Sequence, residues 1–113
     1  MSDNRRREKR YEVSVTAELL VGDDVLEGQT RNMSATGVSV EIERELVDGA
    51  QVELTLLLTQ GGVEDPTAEP LEVEATVMWC AAKEDGGAMA GLRFEELNQI
   101  QKGRLAALLE SAA

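Results

Sequence analysis

Several residue types are scarce in this 113-residue chain, and each shortage narrows what the protein can do. Histidine is absent, which removes the commonest general base and the commonest metal ligand. The single cysteine, Cys80, cannot form an internal disulfide, so we expect a reducing, cytoplasmic location. Only Tyr11, Trp79 and Phe94 are aromatic, so the core must be aliphatic. These shortages predict a protein that is not an enzyme and holds no metal or cofactor.

Long apolar stretches are also missing. The longest apolar runs fall far short of a membrane span, and residues 1–11 are polar rather than apolar. We therefore expect neither a membrane anchor nor a signal peptide. A chain of this length is large enough to bury a modest core as one domain, which we predict over residues 12–113.

Basic residues are few and unevenly placed. The chain has 11 Lys and Arg against 22 Asp and Glu, and five of the eleven lie in the first ten positions. With Asp3 and Glu8 included, those ten residues carry +3, so the rest carries −14 within a total of −11. A body this acidic disfavours nucleic acid as a partner, because such binding needs a basic surface that neutralises many phosphates.

The basic cluster itself predicts a site for a small anion. A guanidinium group matches phosphate oxygens and guanine edges, because its planar fork donates two parallel hydrogen bonds. We therefore predict that residues 1–11 form a flexible ligand-binding arm. Its candidate binding residues are Arg5, Arg6, Arg7 and Arg10.

Alternation of apolar and polar residues dominates the body and predicts β-strands. Six strands are predicted, over residues 13–21, 25–31, 38–42, 52–58, 71–79 and 89–94. Turn-forming residues separate them, and two longer connections, residues 32–37 and 59–70, are predicted to be loops.

After Phe94 the period changes to that of a helix, predicted over about residues 98–111. Asn98 is the predicted N-cap, and an apolar stripe opened by Ile100 continues through Leu105, Leu108 and Leu109. The predicted fold is therefore all-β with one terminal helix: a six-stranded antiparallel barrel capped by the helix. Barrel closure would protect strand edges that otherwise favour aggregation.

Two short motifs carry the functional prediction. The first is Arg6-x-x-x-Arg10 in the arm, and the second is Asn32-x-Ser34-x-x-Gly37, between the second and third predicted strands. Twenty-one residues separate Arg10 from Asn32, enough for one hairpin to return the second motif to the base of the arm. Alone, the first motif is typical of a solvated tail and the second of an ordinary polar turn.

Together, and in this order on a six-stranded barrel, the motifs resemble the PilZ domain family, whose members are receptors for the bacterial second messenger cyclic di-GMP. Every defined position of the family pattern is present, and the strand Gly91-Leu92-Arg93-Phe94 and the terminal helix are similar to the family's ending. The resemblance implies a PilZ-type barrel with a C-terminal helix. It also implies a stand-alone cyclic di-GMP receptor whose arm closes over the ligand and changes the surface shown to an effector protein.

The resemblance also implies roles for individual residues. Arg6 and Arg10 would clamp phosphates or guanine edges, Asn32 and Ser34 would hydrogen-bond the ligand, and Gly37 would permit a tight turn. In the family, an arginine at the position of Arg5 favours a stacked pair of ligands, so two cyclic di-GMP molecules per chain are expected. For Trp79 two interpretations stay open: contact with the ligand, as in some members, or a core aromatic at the end of the fifth apolar series.

Other functions were weighed against this prediction. A PilZ-fold adaptor acting only by protein–protein contact is the alternative, although it would have no use for the intact motifs. A nucleic-acid-binding barrel is disfavoured by the −14 body and by the lack of aromatics for stacking, and an enzyme ranks last. The effector protein and the oligomeric state are left open, with a homodimer among the options.

Overall fold

A computed structural model describes residues 9–57, 59–60, 63–64 and 70–112. Nine strands and one helix lie in these ranges. They are β1 Tyr11–Glu12, β2 Thr16–Val21, β3 Asp24–Met33, β4 Gly37–Ile42, β5 Gln51–Leu57, β6 Thr59–Gln60, β7 Val63–Glu64, β8 Leu71–Ala82, β9 Ala88–Phe94 and the helix α1 Gln99–Ala112. The predicted binding residues Arg5, Arg6 and Arg7 lie outside the described residues.

Six of the strands form a closed antiparallel barrel. The strands follow the order β3-β2-β5-β8-β9-β4 around the ring, and a further antiparallel pairing of β3 with β4 closes it. Strand β1 adds two residues to the edge of β3, with Tyr11 opposite Met33 and Glu12 opposite Asn32. The predicted all-β fold, a six-stranded barrel with a C-terminal helix, is confirmed.

The barrel interior holds the predicted aliphatic core. Inward positions alternate along each strand, as in Ala17 and Leu19 of β2 or Leu54 and Leu56 of β5, all of which are fully buried. Phe94 is the only aromatic residue among the buried apolar side chains of the described ranges. Burial of a valine or leucine side chain stabilises the fold by roughly 1.5–3 kcal/mol, so this interior is the main source of stability.

Helix α1 is fixed at its start by polar contacts. Asn98 is the N-cap as predicted, because its Oδ1 accepts from the backbone N–H of Gln101 at 2.8 Å, while Gln101 Oε1 accepts from Asn98 N–H at 2.9 Å. Gln101 Nε2 also donates to the Glu72 carbonyl at 2.7 Å, and Arg104 donates to the Pro70 carbonyl. Leu105 and Leu109 are buried, and the helix packs against β8 and β1.

The prediction for Ile100 was wrong. Its side chain is 67% exposed, so the apolar stripe begins at Leu105 rather than at Ile100. The first helical turn is held by the hydrogen bonds of Asn98 and Gln101, and it does not need an apolar anchor at position 100.

Several predicted boundaries also need correction. Tyr11, which was placed in the arm, pairs with β3 and packs against the core. Strand β3 continues through Asn32 and Met33, which were predicted to begin a loop, because these two residues keep pairing partners on β1 and β4. The predicted loop at 59–70 contains the short paired strands β6 and β7.

Within the described residues, no helix is long and apolar enough to span a bilayer.

Candidate functional site

A groove of about 590 Å³ lies on the outer barrel surface over strands β3, β4, β9 and β8. Five of the predicted binding residues line it: Arg10, Asn32, Ser34, Gly37 and Trp79. The structure therefore brings the two motifs together, as predicted: every motif residue that it describes lines this groove.

The floor of the groove is one row of residues paired from strand to strand. Asn32 lies opposite Ser39, Ser39 opposite Gly91, and Gly91 opposite Trp79. The backbone N–H of Asn32 donates to Ser39 Oγ at 3.2 Å, and the Asn32 side chain is exposed. An amide and a hydroxyl thus stand on the same face as the indole, at neighbouring positions across the sheet.

Two β-bulges aim side chains into this groove. In β3 the register against β4 shifts between Thr30 and Asn32, so Arg31 and Asn32 are both exposed. In β8 the register against β9 shifts between Val77 and Trp79, so Met78 and Trp79 both leave the interior. Bulges are frequent beside functional sites because they redirect a side chain in this way.

The second bulge decides where Trp79 lies. Its side chain is 46% exposed and lines the groove, so the interpretation of Trp79 as a core aromatic was wrong. A Cβ added at Gly91 would overlap the indole atoms Nε1 and Cε2. The indole therefore lies directly against the Gly91 backbone, and its exposed part lines the groove.

Ser34 organises the β3–β4 turn. It is fully buried, its N–H donates to the Gly37 carbonyl at 2.8 Å, and its Oγ accepts from the N–H groups of Thr36 and Gly37 at 3.2 and 3.3 Å. The turn is tied to β9 by a 2.8 Å bond from Phe94 N–H to the Thr36 carbonyl. Ser34 thus shapes the rim of the groove through backbone contacts.

The structural reason for Gly37 differs from the predicted one. Its φ is not in the left-handed region, and a tight turn is therefore not what requires glycine here. Instead, a Cβ at this position would overlap the Leu92 carbonyl oxygen of β9. Glycine is needed because the two strand backbones approach closely at this point.

Strand β1 and the base of the arm are held in place by Thr30. Its fully buried Oγ1 donates to the Val13 carbonyl and accepts from Val15 N–H at 2.9 Å. Its own N–H donates to the Val15 carbonyl at 3.0 Å. These bonds fix the segment that follows Arg10 and thereby place the exposed Arg10 at the edge of the groove.

The charge of the groove is opposite to that of the protein. None of the described residues that line it is acidic, although the chain carries 22 Asp and Glu. Two arginines, Arg10 and Arg93, line it, and the three ion pairs among the described residues use Arg31, Arg44 and Lys83 instead. A groove with two cations, hydroxyl and amide groups and an indole suits a planar, anionic ligand.

Ser39, Gly91 and Arg93 also line the groove, although neither sequence motif contains them. The outward position of Ser39 could have been found, since it alternates with the buried Val38 and Val40. For Gly91 and Arg93 the alternation in β9 gives the outward direction, but only the register with β8 and β4 places both beside Trp79 and Gly37. No group of His, Cys, Asp and Glu in the described ranges has the arrangement of a metal site.

Comparison with known proteins agrees with this architecture. The family model for the PilZ domain matches residues 4–111, and the chain belongs to the PilZ domain family. No curated protein gave a significant match. The resemblance drawn from the motifs is confirmed.

Solved structures show the same fold. The PilZ domain of YcgR from Escherichia coli, solved with c-di-GMP, is 14% identical with a TM-score of 0.75, and the match covers 96% of this chain and 91% of that one. The Bacillus subtilis inhibitor of motility, MotI/DgrA, is 20% identical with a TM-score of 0.72 over 96% of this chain. This chain spans about half the length of MotI, since the match covers 49% of it.

A third neighbour shows that the fold occurs in assemblies. A PilZ protein from Xanthomonas campestris, described as a tetramer self-assembled through a helical bundle, is 21% identical with a TM-score of 0.57. The match covers 80% of this chain and 47% of that one.

Proposed function

We propose that this protein is a receptor for cyclic di-GMP and that the groove over β3, β4, β8 and β9 is its binding site. The observation that carries the proposal is the meeting of Arg10, Asn32 and Trp79 in a groove without acidic lining, on a strongly acidic protein. The YcgR PilZ domain, which shares the fold, was solved with this nucleotide. Membership of the PilZ family adds independent support.

The chemistry of the groove matches the parts of the ligand. Cyclic di-GMP is a ring of two guanylates with two negative phosphates, so it needs cations, base-edge partners and stacking surfaces. Arg10 supplies a guanidinium for a phosphate or for guanine O6 and N7. The Asn32 side chain offers an amide oxygen to the guanine N1–H and N2–H edge, and the Trp79 indole offers a flat face for stacking.

In this proposal the arm closes over the bound ligand. Arg5, Arg6 and Arg7 lie three to five residues before Arg10 in the chain, so a ligand held at the groove lies within their reach. Arg10 is followed by β1, against which helix α1 packs. Binding at the arm would thereby alter the surface around β1 and α1 that is shown to an effector protein. Backbone amide relaxation of residues 4–10 that is unchanged by the nucleotide would exclude this closure.

We further propose two cyclic di-GMP molecules per chain. The arginine at position 5 is the basis of this stoichiometry, and a second depression of about 400 Å³ gives additional space beside the groove. It shares Asn32 with the groove and is also lined by Arg31, Ser14 and the carboxylate residue Glu12. A cytoplasmic location, predicted from the sequence, stays a prediction.

The proposal is tested by calorimetric titration with cyclic di-GMP. Arg10→Ala and Arg6→Ala should each weaken binding by roughly 1.5–3 kcal/mol, the usual contribution of a hydrogen bond to a charged group. Arg44→Ala is the matched control, because Arg44 pairs with Asp24 at 3.2 Å and does not line the groove. Double-stranded DNA should not compete with the nucleotide.

Absence of binding to the wild-type protein would reject the receptor proposal. It would favour the alternative, a PilZ-fold adaptor that acts by protein–protein contact without sensing nucleotide. Arg10 and Arg93 of the groove, which form no ion pair with the described acids, speak against that alternative, since an adaptor has no need of an anion site.

A further inference from the structure

We infer that Arg93, on strand β9, is a second ligand-binding arginine, which binds a phosphate of the ligand from the barrel wall independently of the arm. The inference rests on the proposed function of the groove. It assigns to the site a cation that belongs to neither sequence motif.

The position of Arg93 in the sheet supports this role. Arg93 lies two residues after Gly91 on the same outer face of β9, and Gly91 is covered by the Trp79 indole. Alternate residues of a strand are roughly 7 Å apart, so Arg93 starts close to the position that the indole covers, and both side chains line the groove. A guanylate whose base stacks on the indole would therefore have a phosphate within reach of the Arg93 guanidinium in the same groove.

Space is kept open beside Arg93. Its cross-strand partner on β4 is Gly37, where any side chain would overlap the Leu92 carbonyl. The position directly opposite Arg93 consequently holds no side chain. The guanidinium can extend over β4 into the groove, towards the turn that Ser34 organises.

Arg93 forms no ion pair with the acidic residues that the structure describes. The described ion pairs join Arg31 and Lys83 to Glu41 and Arg44 to Asp24, and Arg93 takes part in none of them. The nearest acid along the chain, Glu95, accepts a hydrogen bond from Thr76 Oγ1, and Thr76 is the β8 residue opposite Arg93. The Glu95 carboxylate is thus hydrogen-bonded to β8 and forms no ion pair with Arg93. The N–H groups of the Arg93 guanidinium can therefore donate to a bound anion.

Arg10 and Arg93 approach the groove from different elements. Arg10 precedes β1, whereas Arg93 lies in a barrel strand held on both sides by β4 and β8. The strand fixes the Arg93 backbone before the ligand arrives, which lowers the entropy lost on binding. We expect the barrel to retain weak affinity through Arg93 when contacts from the arm are removed.

The test is a calorimetric titration of the full-length protein with cyclic di-GMP. Arg93→Gln should weaken binding about 10- to 100-fold, since it removes one charge-assisted contact. Lys102→Gln is the matched control: it removes the same charge from exposed helix surface and should change affinity less than about twofold. Arg93→Lys should give an intermediate loss, because an ammonium group cannot form the bidentate contact. Circular dichroism and thermal unfolding establish that each variant is folded.

A double-mutant cycle separates Arg93 from Arg10. If the two arginines bind the ligand independently, the losses of Arg10→Ala and Arg93→Gln multiply in the double variant. An Arg93→Gln variant that binds like Lys102→Gln, or that has no further effect in the Arg10→Ala protein, would overturn the inference while leaving the receptor proposal intact. Absence of binding to the wild type would overturn both.

Discussion

The Trp79 indole lies against the backbone of Gly91, the residue opposite it on strand β9. Trp79 points outward because of the bulge at Met78, and Gly91, at an outward position of β9, has no side chain to occupy the outer face. The groove floor therefore depends on the pair, since a larger residue at position 91 would remove the surface on which the indole lies.

Gly91→Ala should displace the indole from the groove floor. The added methyl group would overlap Nε1 and Cε2, and the half-exposed ring can swing towards solvent at small cost to the fold. Trp79 is the only tryptophan, so intrinsic fluorescence reports on it alone. We expect a red-shifted emission, stronger acrylamide quenching and weaker binding of cyclic di-GMP. An emission spectrum identical to that of the wild type would show that position 91 does not control the ring.

Gly103→Ala should stabilise the protein by about 0.5–1 kcal/mol. Gly103 lies inside α1, it is exposed, and an added Cβ meets no atom within 4 Å. Alanine loses less backbone entropy on helix formation than glycine does. Urea unfolding measures the gain, and unchanged affinity for cyclic di-GMP would make this variant a control for Gly91→Ala. A loss of stability would mean that the helix needs glycine for a contact made outside the described chain.

Thr30→Val should destabilise the fold by roughly 1–3 kcal/mol although the two side chains have nearly the same shape. The substitution removes the Oγ1 that bonds Val15 N–H and the Val13 carbonyl, and leaves both groups without that partner in a buried place. Thr55→Val, on the outer face of β5, is the control and should be nearly neutral. Chemical denaturation of the pair gives the comparison, and equal midpoints would contradict the structural role of Thr30.

Arg5→Leu should reduce the stoichiometry from two cyclic di-GMP molecules per chain to one. In the proposed complex Arg5 contributes a guanidinium to the stacked pair, whereas a bulky apolar side chain at this position favours a single ligand. Calorimetry at saturation measures the number of ligands directly. One ligand per wild-type chain would reject the stacked pair and leave the receptor proposal standing.

The fold could be predicted from the sequence because most barrel strands alternate regularly. Leu71, Val73, Ala75 and Val77 are all buried, as their spacing requires. The alternation does not extend to Trp79, the next apolar residue of that series, so of its two interpretations the core one fails. A bulge adds one residue to one strand only, and nothing in the local sequence of β8 distinguishes Met78 as that residue.

The site was predicted in part for a similar reason. The motif residues Arg10, Asn32, Ser34 and Gly37 follow from a sequence pattern, and the structure places all four at one groove. Ser39, Gly91 and Arg93 enter the groove through pairing between strands that are distant in sequence, as in the alignment of Ser39 with Gly91. Such pairing depends on the register of the closed barrel, which local periodicity does not contain.

The motif Asn32-x-Ser34-x-x-Gly37 spans the end of β3, the turn organised by Ser34 and the start of β4, the two strands whose pairing completes the barrel. A substitution that disrupts this turn would expose the edges of β3 and β4. Their unpaired backbone N–H and C=O groups could then pair with a strand of another molecule, which favours aggregation. Such a variant would lose ligand binding and solubility at the same time. A calorimetric titration of it would then measure aggregated protein rather than a folded protein that fails to bind. Substitutions of outward side chains that keep the backbone, such as Asn32→Ala, are therefore the ones that separate recognition from misassembly.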